Sequence, residues 1–125
     1  MGRGKSNAEY GTEYKFLHES GNIKFVRQKQ GSTSAPMITR TKNRIYVTID
    51  NDGDPKYISF YDKDNKRSKQ IDLKGRLHII DGERVLPHTH YGYNHDENGT
   101  FRVSEEEQKI IDKVNRIWYD YKRQK

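Results

Sequence analysis

Cysteine is missing from this chain altogether, and with it go a disulfide framework and any thiolate zinc site. Long apolar runs are missing too, and nothing approaches the length of a membrane-spanning helix. Met1–Lys5 leads into polar sequence rather than an apolar stretch, so no secretion signal is expected. Apolar residues are scarce, at 30% against 34% charged, a balance that leans toward disorder. The aromatic residues argue the other way. Nine Tyr, four Phe and one Trp each bring a large buried area. With 125 residues there is too little chain for two hydrophobic cores. The expectation is one thin, Tyr-rich core in a single domain over residues 13–125, after a flexible arm or linker end over residues 1–12.

What is present in excess is positive charge: 24 Lys and Arg against 18 Asp and Glu, a net +6. A basic surface attracts polyanions such as RNA, DNA or anionic lipid. An excess of this size also serves solubility alone, and both readings stay open.

The pattern along the chain favours strands. Residues 13–19 suggest one short helical turn around Phe16 and Leu17. Asn22–Arg27 reads as a first strand. Arg44–Asp50 alternates, with Ile45, Val47 and Ile49 on one face and Tyr46 and Thr48 on the other, the signature of a half-buried strand. Turns at Asn51–Pro55 and Asp62–Asn65 separate it from strands over Lys56–Tyr61 and Lys66–Leu73, so these three form an antiparallel meander. Further strands are expected over Arg76–Ile80 and from Val85 through His88 and His90 to Tyr93, with a polar loop at Asn94–Gly99.

The C-terminus reads as an amphipathic helix. Ser104 and Glu107 make a capping box, and Glu105 and Glu106 suit the positive end of the helix dipole. Ile110, Val114, Ile117 and Tyr121 form one stripe, widened by Ile111 and Trp118. The expected class is therefore α+β: an antiparallel sheet of about four to five strands packed on a C-terminal helix.

Chemistry points to Pro87–His90. Four of the five His fall between positions 78 and 95, and strand alternation puts His88 and His90 on one face. Arg67 and Lys69 share a face of the preceding strand, flanked by Lys66 and Gln70. Two imidazoles beside fixed cations suit metal-independent RNA cleavage. One ring takes the 2′-hydroxyl proton and the other protonates the leaving 5′-oxygen, while Arg67 and Lys69 stabilise the phosphorane. The expected site is an open basic cleft with His88 and His90 facing Arg67 and Lys69. A rival is a metal centre on His88 and His90 with His95 or Asp96, though no acidic cluster accompanies the pair. A third reading gives these His only hydrogen-bonding roles. His18 and His78 stand without such context, and Trp118 reads as core.

The run Tyr57–Leu73 followed by Pro87–Tyr93 resembles the tail domains of phage minor head proteins and bacterial polymorphic toxins, domains similar to the Barnase–EndoU–colicin–RelE nuclease superfamily. The loop over residues 94–100 and the helix from Ser104 to Tyr119 extend the likeness to roughly residues 5–120. The resemblance implies a helix-then-sheet fold and metal-independent cleavage of RNA, often tRNA, in the cytoplasm of a target bacterium, with an immunity protein as partner and no cofactor. It makes His88 and His90 catalytic, gives phosphate to Arg67 and Lys69, and has Asp72 orient a neighbour. Lys66, Gln70, Tyr91, Tyr93 and His95 complete the expected substrate-binding set. Gly4, Gly11 and Gly21 cut across the region where the implied N-terminal helix should lie. The alternative is a nucleic-acid-binding or virion accessory module without catalysis, and third is a metal-dependent phosphoesterase. The glycine-rich start is what a domain excised from a longer chain would show.

Overall fold

Ile45, Val47 and Ile49 do form a strand, but one buried on both faces. Val47, Thr48 and Ile49 are each 1% exposed or less, and Tyr46 is also buried. It is an inner strand, third in the order of a seven-stranded sheet, and both of its faces are covered. The computed structural model describes residues 14–29, 35, 36, 39, 43–74, 78–80, 83–85, 87–93 and 99–124. In chain order the strands are β1 (Tyr14–Ser20), β2 (Ile23–Gln28), β3 (Ile45–Ile49), β4 (Pro55–Tyr61), β5 (Arg67–Asp72), β6 (His78–Ile80), β7 (Glu83–Val85), β8 (His88–Tyr91) and β9 (Thr100–Arg102). One helix, α1 (Glu105–Arg123), follows. The main sheet runs β1-β2-β3-β4-β5-β8-β9, while β6 and β7 pair separately.

The fold is α+β, as expected, with more strands than anticipated. The meander β3-β4-β5 is antiparallel. β2 lies parallel to β3, with a long connection between them instead of a hairpin. Residues 14–20 are a strand and not a helical turn. A single turn closes too few hydrogen bonds to hold itself, whereas the tight turn at Gly21 (φ 59°) lets the segment pair with β2 from Tyr14↔Gln28 to Ser20↔Ile23. The strand expected over Val85–Tyr93 is split into β7 and β8, and β6 opposes β7 as a small ribbon.

Register sorts the side chains into two faces. Phe25, Val47, Ile58, Ile71 and Thr89 pair across neighbouring strands in one row. Ile111, Val114 and Trp118 of α1 close this row into the core, with Trp118 stacked on Phe25 at 5.2 Å. The buried line of the helix is Glu107, Ile111, Val114 and Trp118. The expected centre at Ile110, Ile117 and Tyr121 is therefore the flank. The capping box between Ser104 and Glu107 is present as expected. At its far end α1 grips the β3–β4 turn: the Trp118 indole N–H donates to Gly53 O at 2.9 Å. That turn is folded on Asp50, whose Oδ1 accepts from the backbone N–H of Asp52 and Asp54, and whose Oδ2 meets Lys74 Nζ at 2.5 Å.

The opposite face is polar, and its two rows are Lys24-Tyr46-Ser59-Gln70-His90-Thr100 and Val26-Thr48-Tyr57-Asp72-His88-Arg102. Its middle is covered too. Tyr61 Oη donates to Pro36 O at 2.5 Å, and Thr39 is held both to Tyr46 Oη and to Asn65 O. These partners explain how Thr39, Thr48 and Ser59 come to be buried on a face that alternation alone would leave in water.

Candidate functional site

Alternation along β8 places His88 and His90 on the polar face and Thr89 and Tyr91 on the helix face, as the sequence implies. β8 lies one strand in from the β9 edge. Its register with β5 sets Asp72 opposite His88 and Gln70 opposite His90. β9 sets Arg102 opposite His88 and Thr100 opposite His90.

These pairings converge on one carboxylate. Asp72 Oδ2 is 3.0 Å from His90 Nε2 and 3.4 Å from His88 Nε2. Its other oxygen, Oδ1, accepts from Gln70 Nε2 at 2.8 Å. Gln70 Oε1 in turn accepts from Arg67 Nη1 at 2.7 Å, and Arg67 Nη2 donates to Tyr93 O at 3.0 Å. On the far side of the ring, His90 Nδ1 is 2.9 Å from Thr100 Oγ1. The two imidazoles meet edge-on, with centroids 4.7 Å apart. Burial pushes the Asp72 carboxyl up, but the hydrogen bonds from His90 and Gln70, with the His90 and His88 charges, hold it below its ordinary value.

The cluster is closed, not open. His88 is 1% exposed and His90 4%. The expected basic cleft is thus corrected in two ways. First, both rings face Asp72, the cross-strand partner of His88, instead of a row of cations. Second, Lys69 is not on this face. Its partner across the ladder is Tyr91, so it points toward α1 and pairs with Glu107 Oε2 at 3.0 Å. Arg67 has the same parity as Lys69 yet reaches Gln70. The irregular register between Phe60 and Tyr61 pairs Tyr61 with Arg67 and switches its face.

Of the expected residues, Arg67, Gln70, Asp72, His88 and His90 come together. Lys66 and Tyr93 lie at the end of this group, with Lys66 Nζ 5.8 Å from the Tyr93 ring centre. Tyr91 is drawn to the helix face, where its hydroxyl donates to Glu107. His95 and Asp96 lie outside the described residues. His18 stacks on Tyr121 at 4.2 Å, a packing role.

Two residues were missed by the sequence reading. Thr100 sits on β9, whose three residues follow a polar loop and are too few to show alternation. Glu107 was legible only as a capping residue. It is also a buried anchor that accepts from Thr89 Oγ1, Tyr91 Oη, Lys69 Nζ and Ser104 N–H. Burial raises its carboxyl, but the Ser104 N–H, Lys69 and Thr89 together hold it below the ordinary 4.5.

Asp72, His88 and His90 each offer one donor atom within 4.8 Å of the others, the grouping among the described residues that has the makings of an ion site. Among those residues, no helix is long and apolar enough to cross a membrane. No protein-family model, curated protein or solved structure matches the chain.

Proposed function

We propose that this domain cleaves RNA by proton transfer at the Asp72–His88–His90 cluster. The observation that carries the reading is the chain Asp72 Oδ2, His90, Thr100 Oγ1, with contacts of 3.0 and 2.9 Å on opposite nitrogens of one ring. A carboxylate behind Nε2 keeps the proton there and leaves the Nδ1 lone pair facing a hydroxyl. Thr100 itself is only half-buried. A ribose 2′-hydroxyl taking the place of the Thr100 hydroxyl gives its proton to Nδ1, and its oxygen attacks the neighbouring phosphorus. Protonated His88 then gives a proton to the departing 5′-oxygen, leaving a 2′,3′-cyclic phosphate. Arg67 has donors left after Gln70 and Tyr93 and is the cation tied to Asp72 through Gln70. Lys69, held by Glu107, is not part of it. The rings are closed off in the free protein, so binding of RNA must uncover them. A toxin-type role in a bacterial cytoplasm, with an immunity protein as partner, belongs to this reading.

The test is purified protein with total RNA in EDTA, followed by analysis of the product ends. Wild type yields cyclic phosphate ends. His90→Ala and Asp72→Asn each lose about 10²–10⁴-fold in rate. Wild-type rates in both variants would sink the reading.

Burial of both rings favours a second reading, a nucleic-acid-binding module without catalysis. Its mark is salt-dependent binding with a linear log–log slope and no product at any enzyme concentration.

A further inference from the structure

We infer that Asp72, His88 and His90 also form a binding site for a zinc-class divalent ion, and that the ion switches the cluster off. A tetrahedral ion with bonds of about 2.0–2.2 Å spaces its ligands about 3.3–3.6 Å apart. The His88–Asp72 edge, at 3.4 Å, already has that spacing, and the His90–Asp72 edge, at 3.0 Å, needs to open by a few tenths of an ångström. All three donors lie within 4.8 Å of one another, so the remaining edge needs only a side-chain adjustment.

The outer contacts are those a metal centre uses. Gln70 holds Asp72 Oδ1 at 2.8 Å, which turns Oδ2 inward. Thr100 holds His90 Nδ1 at 2.9 Å, which turns Nε2 inward. Such contacts fix the orientation and tautomer of ligating side chains. The donor set is two imidazoles and one carboxylate in a chain without cysteine. Two nitrogens and a single carboxylate suit Zn²⁺ and its late transition neighbours, while Mg²⁺ and Ca²⁺ need more oxygens.

Inhibition follows from the position of the lone pairs, and this half of the inference rests on the proposed RNA chemistry. An ion on His90 Nε2 moves the ring proton to Nδ1, the nitrogen turned toward Thr100. That nitrogen then donates to Thr100 Oγ1 and has no lone pair left for a substrate proton. An ion on His88 Nε2 likewise ties up the nitrogen beside Asp72.

The experiment uses the full chain, stripped of metal with a chelator and titrated with zinc chloride against a chromophoric zinc indicator. RNA cleavage is followed in parallel. Wild type should bind one equivalent with a dissociation constant below about 1 µM. Asp72→Asn should weaken this at least tenfold. Thr100→Val leaves the ligands and the fold in place and should weaken it about 10–100-fold through the lost outer contact. Cleavage should fall as the site fills, with the same midpoint, and return on addition of EDTA. No zinc uptake by wild type, or uptake unchanged in both variants, overturns the site whether or not RNA is cut. Cleavage that requires zinc, or that ignores a filled site, overturns the switch. If zinc binds and RNA is never cut, the site stands, and the RNA reading falls together with the inhibition.

Discussion

Lys69 and Gln70 are neighbours on β5 with opposite fates. Gln70 turns to the polar face and holds Asp72, whereas Lys69 turns to the helix and meets Glu107 at 3.0 Å. Composition cannot tell these apart, because both are polar residues beside a basic run. What separates them is register with β8, which pairs Gln70 with His90 and Lys69 with Tyr91. Lys69 is thus expected to be structural. Lys69→Ala leaves Glu107 buried without its cation and should cost about 3 kcal/mol, the lower end for such a pair because the Lys69 side chain stays 24% exposed. Urea denaturation of the variant measures this. A loss of cleavage with stability unchanged would instead return Lys69 to the reacting site. The His pair and its shared face were legible from spacing two on a strand. Its burial was not, because burial depends on what covers the polar face, and alternation says nothing of that.

At the scale of elements, α1 was the most legible part of the chain. Its capping box, acidic first turn and apolar stripe are local signals, and local signals survive folding. The stripe's centre moved to Ile111, Val114 and Trp118 because Glu107 is drawn inward by Thr89, Tyr91 and Lys69. Those partners come from strands distant in sequence. β1 and β9 were misread or missed for a related reason: each is held by backbone pairing to a neighbour and not by an apolar pattern of its own. Glu107 also ties the helix to acidity. Its carboxyl sits below 4.5 when folded, so its contribution to stability is whole above the unfolded value. That contribution is lost as pH falls below about 4.5 and through the folded value. Urea midpoints from pH 7 down to pH 3 should fall more steeply for wild type than for Glu107→Gln. Parallel curves would show that Glu107 does not make the link.

The main sheet has two covered faces, the apolar one closed by α1 and the polar one carrying the cluster. The α+β class could be read from the sequence. The parallel β2–β3 pair could not, since it is set by contacts across a long connection. Trp118 joins the two ends of this design, stacking on Phe25 and bonding to Gly53 O. Trp118→Ala should cost about 3–5 kcal/mol and expose the row from Phe25 to Ile71. Denaturant unfolding checks the loss, and a cost under about 1 kcal/mol would mean that the helix is not the lid of the core. The proposed chemistry lies on the other face, where Asp72, through His90, would prepare a proton acceptor for RNA. Its most direct measurement is the rate of RNA cleavage, in zinc-free buffer, by wild type and by Asp72→Asn of equal folded content. The proposed chemistry gives cyclic-phosphate products from wild type and a rate at least about 10²-fold lower in the variant. Equal rates, or no cleavage by wild type, would contradict it.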